Sequence, residues 1–159
     1  VMDRDRIFSH LPEIERLYTL FDYTTTLWEA KELSLYHIDK VEFYLLLIMR
    51  FREDLRMKDL AELLSLNNST LTQVANRCER KGLLKRVKGR EDKRETILKF
   101  TPKGRKLIDN IVSHRQALFF PVWEKVSEED IMGFLNVLRT VVETLEDRVA
   151  YLEHLKRPW

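Results

Sequence analysis

A charged seven-residue stretch, Lys88-Gly89-Arg90-Glu91-Asp92-Lys93-Arg94, separates two strand-like runs at 83–87 and 95–100 in a chain that otherwise reads as helix. The three pieces together predict a hairpin with a charged tip. A helix over 69–81 precedes it and stops at Gly82, placed as a helix-ending glycine. Asn67 and Asn68, both good cap or turn residues, separate that helix from a short apolar one at 59–64. Further upstream lie an extended piece, Leu55-Arg56-Met57, and a helix over 39–52. The stretch from Val41 to Met49 is apolar nearly all round, which reads as a helix central to the core. After the hairpin, Thr101 caps a helix whose first residue is Pro102.

The order helix, short strand, helix, turn, helix, strand, charged tip, strand is that of a winged helix-turn-helix. The expected fold is mainly α with a small β-hairpin wing. Long helical arms flank it. The first carries a stripe at Ile7, Leu11, Ile14, Tyr18, Phe21, Thr25 and Trp28, in alternating steps of four and three. Pro12 is expected to start or restart that helix. The helix after Pro102 has its own apolar stripe and is expected to bend or end at Pro121. The last helix opens with the capping-box pattern Ser127-Glu128-Glu129-Asp130 and carries a ridge from Ile131 to Leu155. That ridge is too long for one face of a small domain to hide alone.

Net charge is +2, but its distribution is uneven. Residues 1–68 hold 9 Lys/Arg against 13 Asp/Glu, net −4; residues 69–106 hold 13 against 4, net +9; residues 107–159 hold 6 against 9, net −3. A basic centre between acidic arms fits a polyanion footprint, and equally a solvated basic face. The helix at 69–81 favours the first. Leu71, Val74, Ala75 and Cys78 fall at i, i+3, i+4, i+7 and form its buried face. Ser69, Thr72, Gln73, Asn76 and Arg80 lie opposite, with no acid among them. Gln and Asn pair with adenine, Arg with guanine, and Thr offers its methyl to thymine. At the hairpin tip, Arg90, Lys93 and Arg94 suit the concentrated negative potential of a minor groove. Asp92 is placed to shape the tip by pairing with Arg94 or nearby backbone.

Five motifs stand in order with consistent spacing. They are Asp59-Leu60-Ala61-Glu62-Leu63-Leu64, Ser69-Thr70-Leu71-Thr72, Glu79-Arg80-Lys81-Gly82-Leu83-Leu84-Lys85-Arg86, Glu91-Asp92-Lys93-Arg94 and Leu98-Lys99-Phe100-Thr101-Pro102-Lys103-Gly104. Together they resemble the MarR (multiple antibiotic resistance) family of transcriptional regulators over residues 37–112. The resemblance implies a winged helix-turn-helix at 37–101 on a helical dimerisation base at 1–36 and 102–159. It implies a cytoplasmic homodimer bound to double-stranded DNA at a pseudo-palindromic operator, half-sites about one helical turn apart. Carried over by position, Ser69, Thr70, Thr72, Gln73 and Asn76 meet the major groove, with Arg77 and Arg80 beside them. Arg90, Lys93 and Arg94 serve the wing, with Asp92 its partner. Ile14, Tyr18, Phe21, Leu138, Val142, Leu145 and Val149 fall in the dimer interface. Two positions depart from the family pattern. Asn67-Asn68 stands where many members have Ser-Pro, and Arg56 stands where a Ser or Thr often caps the helix.

The expected regulator is a repressor; many relatives bind a small aromatic or phenolic acid between base and wing, and others sense oxidants or zinc. Trp28, Tyr36, His37 and Tyr44 could line such a pocket; core or dimer packing explains the same residues. Oxidant sensing in the family uses a cysteine in the first helical region, and this chain has none there. Cys78, the single cysteine, sits on a core face and fits a reducing cytosol. His10, His37, His114 and His154 are far apart in sequence; His37 and His114 could approach near the hinge, but no His-x-x-x-His pair accompanies them, so no metal or cofactor is expected. The longest apolar run, 44–49, is too short to span a membrane, and no signal-like stretch follows the charged start. No Gly-rich phosphate loop or Ser/His/Asp constellation points to an enzyme. The competing reading is a winged-helix protein-interaction module, against which the 13 basic residues of the centre argue.

Overall fold

Asp39 opens the central helix by a reciprocal cap. Its carboxylate accepts from the Glu42 backbone N–H (2.8 Å), and the Glu42 carboxylate accepts from the Asp39 N–H (2.9 Å). In the computed structural model, which describes residues 3–52, 55–89 and 93–154, this helix is the second of six. The order is α1 (Arg4–Leu35), α2 (Lys40–Phe51), α3 (Met57–Leu63), α4 (Asn68–Arg80), β1 (Leu84–Lys88), β2 (Thr96–Phe100), α5 (Pro102–Trp123) and α6 (Glu128–His154). The chain divides into two compact units, Val1–Asn110 and Ile111–Trp159, so the boundary falls inside α5.

The core of the first unit is built where the apolar periodicity puts it. Phe43, Leu45, Leu46 and Met49 of α2 are buried with Leu60 and Ala61 of α3. So are Leu71, Val74, Ala75 and Cys78 of α4 and Leu83, Leu84, Leu98 and Ile108. Three helices of this unit end alike, with a left-handed residue that lets the next N–H bond back to the last turn. These residues are His37 (φ 55°) after α1, Ser65 (φ 53°) after α3 and Gly82 (φ 71°) after α4. The closing bonds are Ile38 N–H to Leu33 C=O (3.2 Å), Leu66 N–H to Ala61 C=O (2.8 Å) and Leu83 N–H to Cys78 C=O (2.9 Å). Short, tightly closed connections of this kind hold α1 to α2, α3 to α4, and α4 to the hairpin.

The hairpin is antiparallel, in register from Leu84 opposite Phe100 to Lys88 opposite Thr96. Arg56 adds an isolated antiparallel bridge to Ile97, which is the short extended piece upstream of α3. The Thr101 hydroxyl donates to Gly82 C=O (2.6 Å) and accepts from Gly104 N–H (3.0 Å), capping α5. α5 starts so close to the hairpin that a Cβ on Gly104 would lie 1.9 Å from Leu83 O. This position tolerates no side chain.

The expected restart at Pro12 does not occur: α1 runs unbroken from Arg4 to Leu35. Pro12 and Phe8, whose carbonyl loses its intrahelical partner, are both exposed, where a lost helical bond costs less than in a buried helix. Pro121 lies inside α5, which ends two residues later at Trp123. In the second unit, Ser127 and Asp130 cap α6 reciprocally (3.1 Å each way), and Trp123 packs against Phe134 with ring centres 6.1 Å apart. Both arms leave apolar side chains bare. On α1, Ile14, Tyr18 (68 %) and Phe21 are exposed; on α6, so are Leu138, Val142, Leu145 (57 %) and Val149.

Candidate nucleic-acid interface

α4 begins at Asn67, whose carboxamide oxygen accepts from Thr70 N–H (2.7 Å) and from the Ser69 hydroxyl (3.0 Å). Asn therefore does the capping work expected of the Ser-Pro it replaces. Beyond the cap, Ser69, Thr72, Gln73, Asn76 and Arg80 are exposed along one side, and Thr70 is half-buried. The Thr72 hydroxyl donates to Asn68 C=O (2.7 Å). The exposed row combines two carboxamides, two hydroxyls and a terminal guanidinium.

Arg77 is engaged elsewhere. Its Nε lies 3.1 Å from Glu42 Oε1, and its Nη2 lies 2.7 Å from Asp39 Oδ2. Lys81 Nζ approaches Glu42 Oε2 at 2.5 Å. Glu42 is fully buried, and every donor it needs comes from this cluster. The four residues bolt α4 onto the start of α2. Sequence periodicity could not show this, because the partners lie 35 to 39 residues apart. Cys78 lies on the neighbouring buried face. Burial, reinforced by the Glu42 charge, pushes its thiol up to about 12, so it stays protonated near neutrality.

Met57 and Lys58 of α3, Asn68, Thr72 and Asn76 of α4, and Arg86 and Thr96 of the hairpin line an open cleft of about 500 Å³. Lys58, Arg86 and Thr96 were not singled out by sequence. Lys58 is exposed at the start of α3, 3.9 Å from Glu62. Arg86 is paired with Glu79 of α4, which also accepts from the Arg86 backbone N–H (3.0 Å), tying strand to helix. Arg86 was legible only as a member of the basic segment, and Lys58, in the acidic first segment, not at all. At the wing, Lys93 and Arg94 are exposed; Arg90 and Asp92 lie outside the described residues.

Of the four aromatic candidates for an effector pocket, Tyr36 and His37 share a cleft of about 450 Å³ with Ile38, Leu83, Lys106 and Leu107. Trp28 and Tyr44 are not among its lining residues. Tyr44 packs edge-on to Phe43, ring centres 5.4 Å apart. Among the described residues, no group of three or more His, Cys, Asp or Glu could hold a metal ion, and no helix is long and apolar enough to cross a membrane.

Comparison with known proteins settles the family. The family model described as MarR family matches residues 38–96. The organic hydroperoxide resistance transcriptional regulator of Bacillus subtilis (strain 168) is 30 % identical over 107 residues, covering 67 % of this chain and 71 % of that protein. The chain belongs to the MarR family. It is a MarR-family transcriptional regulator with the mainly helical, winged fold of that family. A MarR family protein from Bacillus stearothermophilus has a similar structure, with a TM-score of 0.76 at 25 % identity over 92 % of this chain and 99 % of that one. Streptococcus pneumoniae FabT, solved in complex with DNA, gives a TM-score of 0.77 at 24 % identity over 86 % of this chain and 98 % of that one. At that identity the likeness to FabT is one of fold. For a MarR-family chain, Thr101, Pro102 and Gly104 acquire a physical meaning: they are the cap and the close approach that set the hairpin against α5.

Proposed function

We propose that this MarR-family regulator is a dimeric repressor that reads a pseudo-palindromic operator in the cytoplasm and leaves it when a small aromatic or phenolic acid binds. One observation carries the reading. The exposed side of α4 is a row of base-reading side chains (Ser69, Thr72, Gln73, Asn76 and Arg80) without an acid, beside exposed Lys93 and Arg94. α4 enters the major groove, and the wing follows the backbone into the adjacent minor groove. Lys58 supplies a further cation beside the major groove. Arg90 joins the wing set, and Asp92 shapes it.

The bare faces of α1 and α6 support the dimer. Large apolar side chains left bare along a helix face mark association sites. Ile14, Tyr18 and Phe21 of α1 and Leu138, Val142, Leu145 and Val149 of α6 form the interface. A twofold dimer places two recognition helices about 34 Å apart, one helical turn of DNA. The effector occupies the cleft of Tyr36, His37 and Lys106, where an ammonium and apolar walls suit an aromatic carboxylate. Binding there favours a spacing of the recognition helices that no longer fits successive grooves. Peroxide chemistry is not proposed, although one relative's name refers to it. The single cysteine is buried and held protonated.

Selection from a library of randomised duplexes tests the reading. The enriched sequences should form an inverted repeat with half-site centres about 10 base pairs apart. Enrichment of an unpaired half-site, or of nothing, contradicts the dimeric reader.

A further inference from the structure

Arg56 stands at the N-cap of α3, where a serine or threonine would accept a hydrogen bond from the first turn. A guanidinium has no acceptor to offer. It does something else here. Nε and Nη2 grip both oxygens of Asp59, at 2.8 and 2.9 Å, and Nη1 reaches Glu95 Oε1 at 3.0 Å. Glu95 immediately precedes β2, and its carbonyl accepts from Gly89 N–H across the hairpin (3.0 Å). The Arg56 backbone is bridged to Ile97. One residue thus holds the hairpin by backbone and by side chain, and is itself fixed to α3 by a two-toothed ion pair.

We propose that Arg56 is a positioning residue for the wing, setting its angle to the recognition unit through Glu95. A two-stranded hairpin is marginal on its own, so its tilt is the soft coordinate of a winged domain. A five-residue strand rising about 3.3 Å per residue is a lever of roughly 17 Å, so a swing of about 10° at its foot carries the tip about 3 Å. That is roughly half the ~6 Å width of a minor groove. Exchanging a helix cap for a cation fastened to both α3 and the hairpin trades local helix capping for control of where the tip lands. The inference rests on the wing's entering DNA, as proposed above, but its first test does not need DNA.

Hydrogen exchange of the free protein compares wild type, Arg56→Gln, Glu95→Gln and the double variant. The amides of Gly89 and Ile97 should exchange at least threefold faster in each single variant, with no further gain in the double, while α4 amides such as Val74 stay unchanged. Unchanged hairpin exchange overturns the proposal whatever happens with DNA. The second arm measures affinity for duplexes with A·T-rich and G·C-rich flanks across a salt series. Both single variants should lose about three- to tenfold of flank discrimination while keeping the wild-type salt slope. If Arg56 instead contacts phosphate itself, Glu95→Gln frees the guanidinium and tightens binding, and Arg56→Gln flattens the slope by about one contact; that result overturns the proposal. Faster hairpin exchange in a protein whose wild type shows no flank discrimination supports the tether and removes the minor-groove role of the wing instead.

Discussion

Arg77 Nε donates to Glu42 Oε1 across 3.1 Å, and this bond joins a helix assigned to DNA reading to a fully buried acid 35 residues earlier. A cation held this way cannot also be a freely extended phosphate ligand. Arg77→Met should therefore lower stability by about 1–3 kcal/mol, because a charge-assisted bond to a buried carboxylate is lost. It should leave the slope of log affinity against log salt unchanged. Arg80→Ala, an exposed position in the base-reading row of the same helix, should relax sequence preference by about 1–3 kcal/mol at one base pair and leave stability nearly untouched. Denaturant melts and salt-dependent binding of the two variants to duplexes differing at single base pairs separate the roles. A flattened slope for Arg77→Met would return it to the DNA-contacting set.

Gly104→Ala should destabilise the winged unit by about 1–3 kcal/mol or more, since the new methyl collides with the Leu83 carbonyl and the backbone must move. Gly133, whose Cβ would meet nothing within 4 Å, provides the control. Gly133→Ala should be neutral or slightly stabilising, as expected for a helix interior. Equal melting temperatures for the two variants would contradict the close approach.

The Cys78 thiol gives the protein an alkaline weakness. Its folded pKa, about 12, lies above the ordinary thiol value, so the folded state holds the proton longer than the unfolded chain does. That preference stabilises the fold fully below the unfolded thiol pKa of about 8.5 and is lost as pH rises through the folded value. Unfolding midpoints should fall more between pH 8 and pH 11 in wild type than in Cys78→Ala. Alkylation of the native thiol at pH 8 should be slow and become fast in denaturant. Parallel pH profiles for the two proteins would show that burial does not control the thiol.

If the proposed dimer forms through α6, Leu138→Glu combined with Leu145→Glu should yield a folded monomer, because both side chains are bare on the single chain. Sedimentation and circular dichroism check mass and helix content. A variant that still sediments as a folded dimer would place the interface elsewhere.

Local chemistry made much of this protein legible in its sequence. The i, i+3, i+4, i+7 spacing of Leu71, Val74, Ala75 and Cys78 identified the buried side of α4, and Thr101-Pro102 marked the start of α5. Asp39 and Glu42 cap α2 reciprocally, and the same two carboxylates also hold Arg77 and Lys81. That second role depends on tertiary approach, and no period in the chain encodes it. For the same reason Arg77 looked equivalent to Arg80, and Arg56 looked like a missing cap although its partner Glu95 is 39 residues away. Pro12 misled because its missing N–H matters little where water reaches the helix.

The central claim is that the exposed row of α4 reads bases. Fluorescence anisotropy of a selected inverted-repeat duplex against its scrambled counterpart, across a salt series and with Gln73→Ala and Asn76→Ala in parallel, tests it most directly. The account predicts two protomers per duplex and affinity that falls steeply with salt. It also predicts tighter binding to the selected sequence, narrowed by about 1–3 kcal/mol at particular base pairs in each variant. Equal, salt-steep binding of both duplexes by all three proteins would contradict it, leaving a basic surface that holds DNA without reading it.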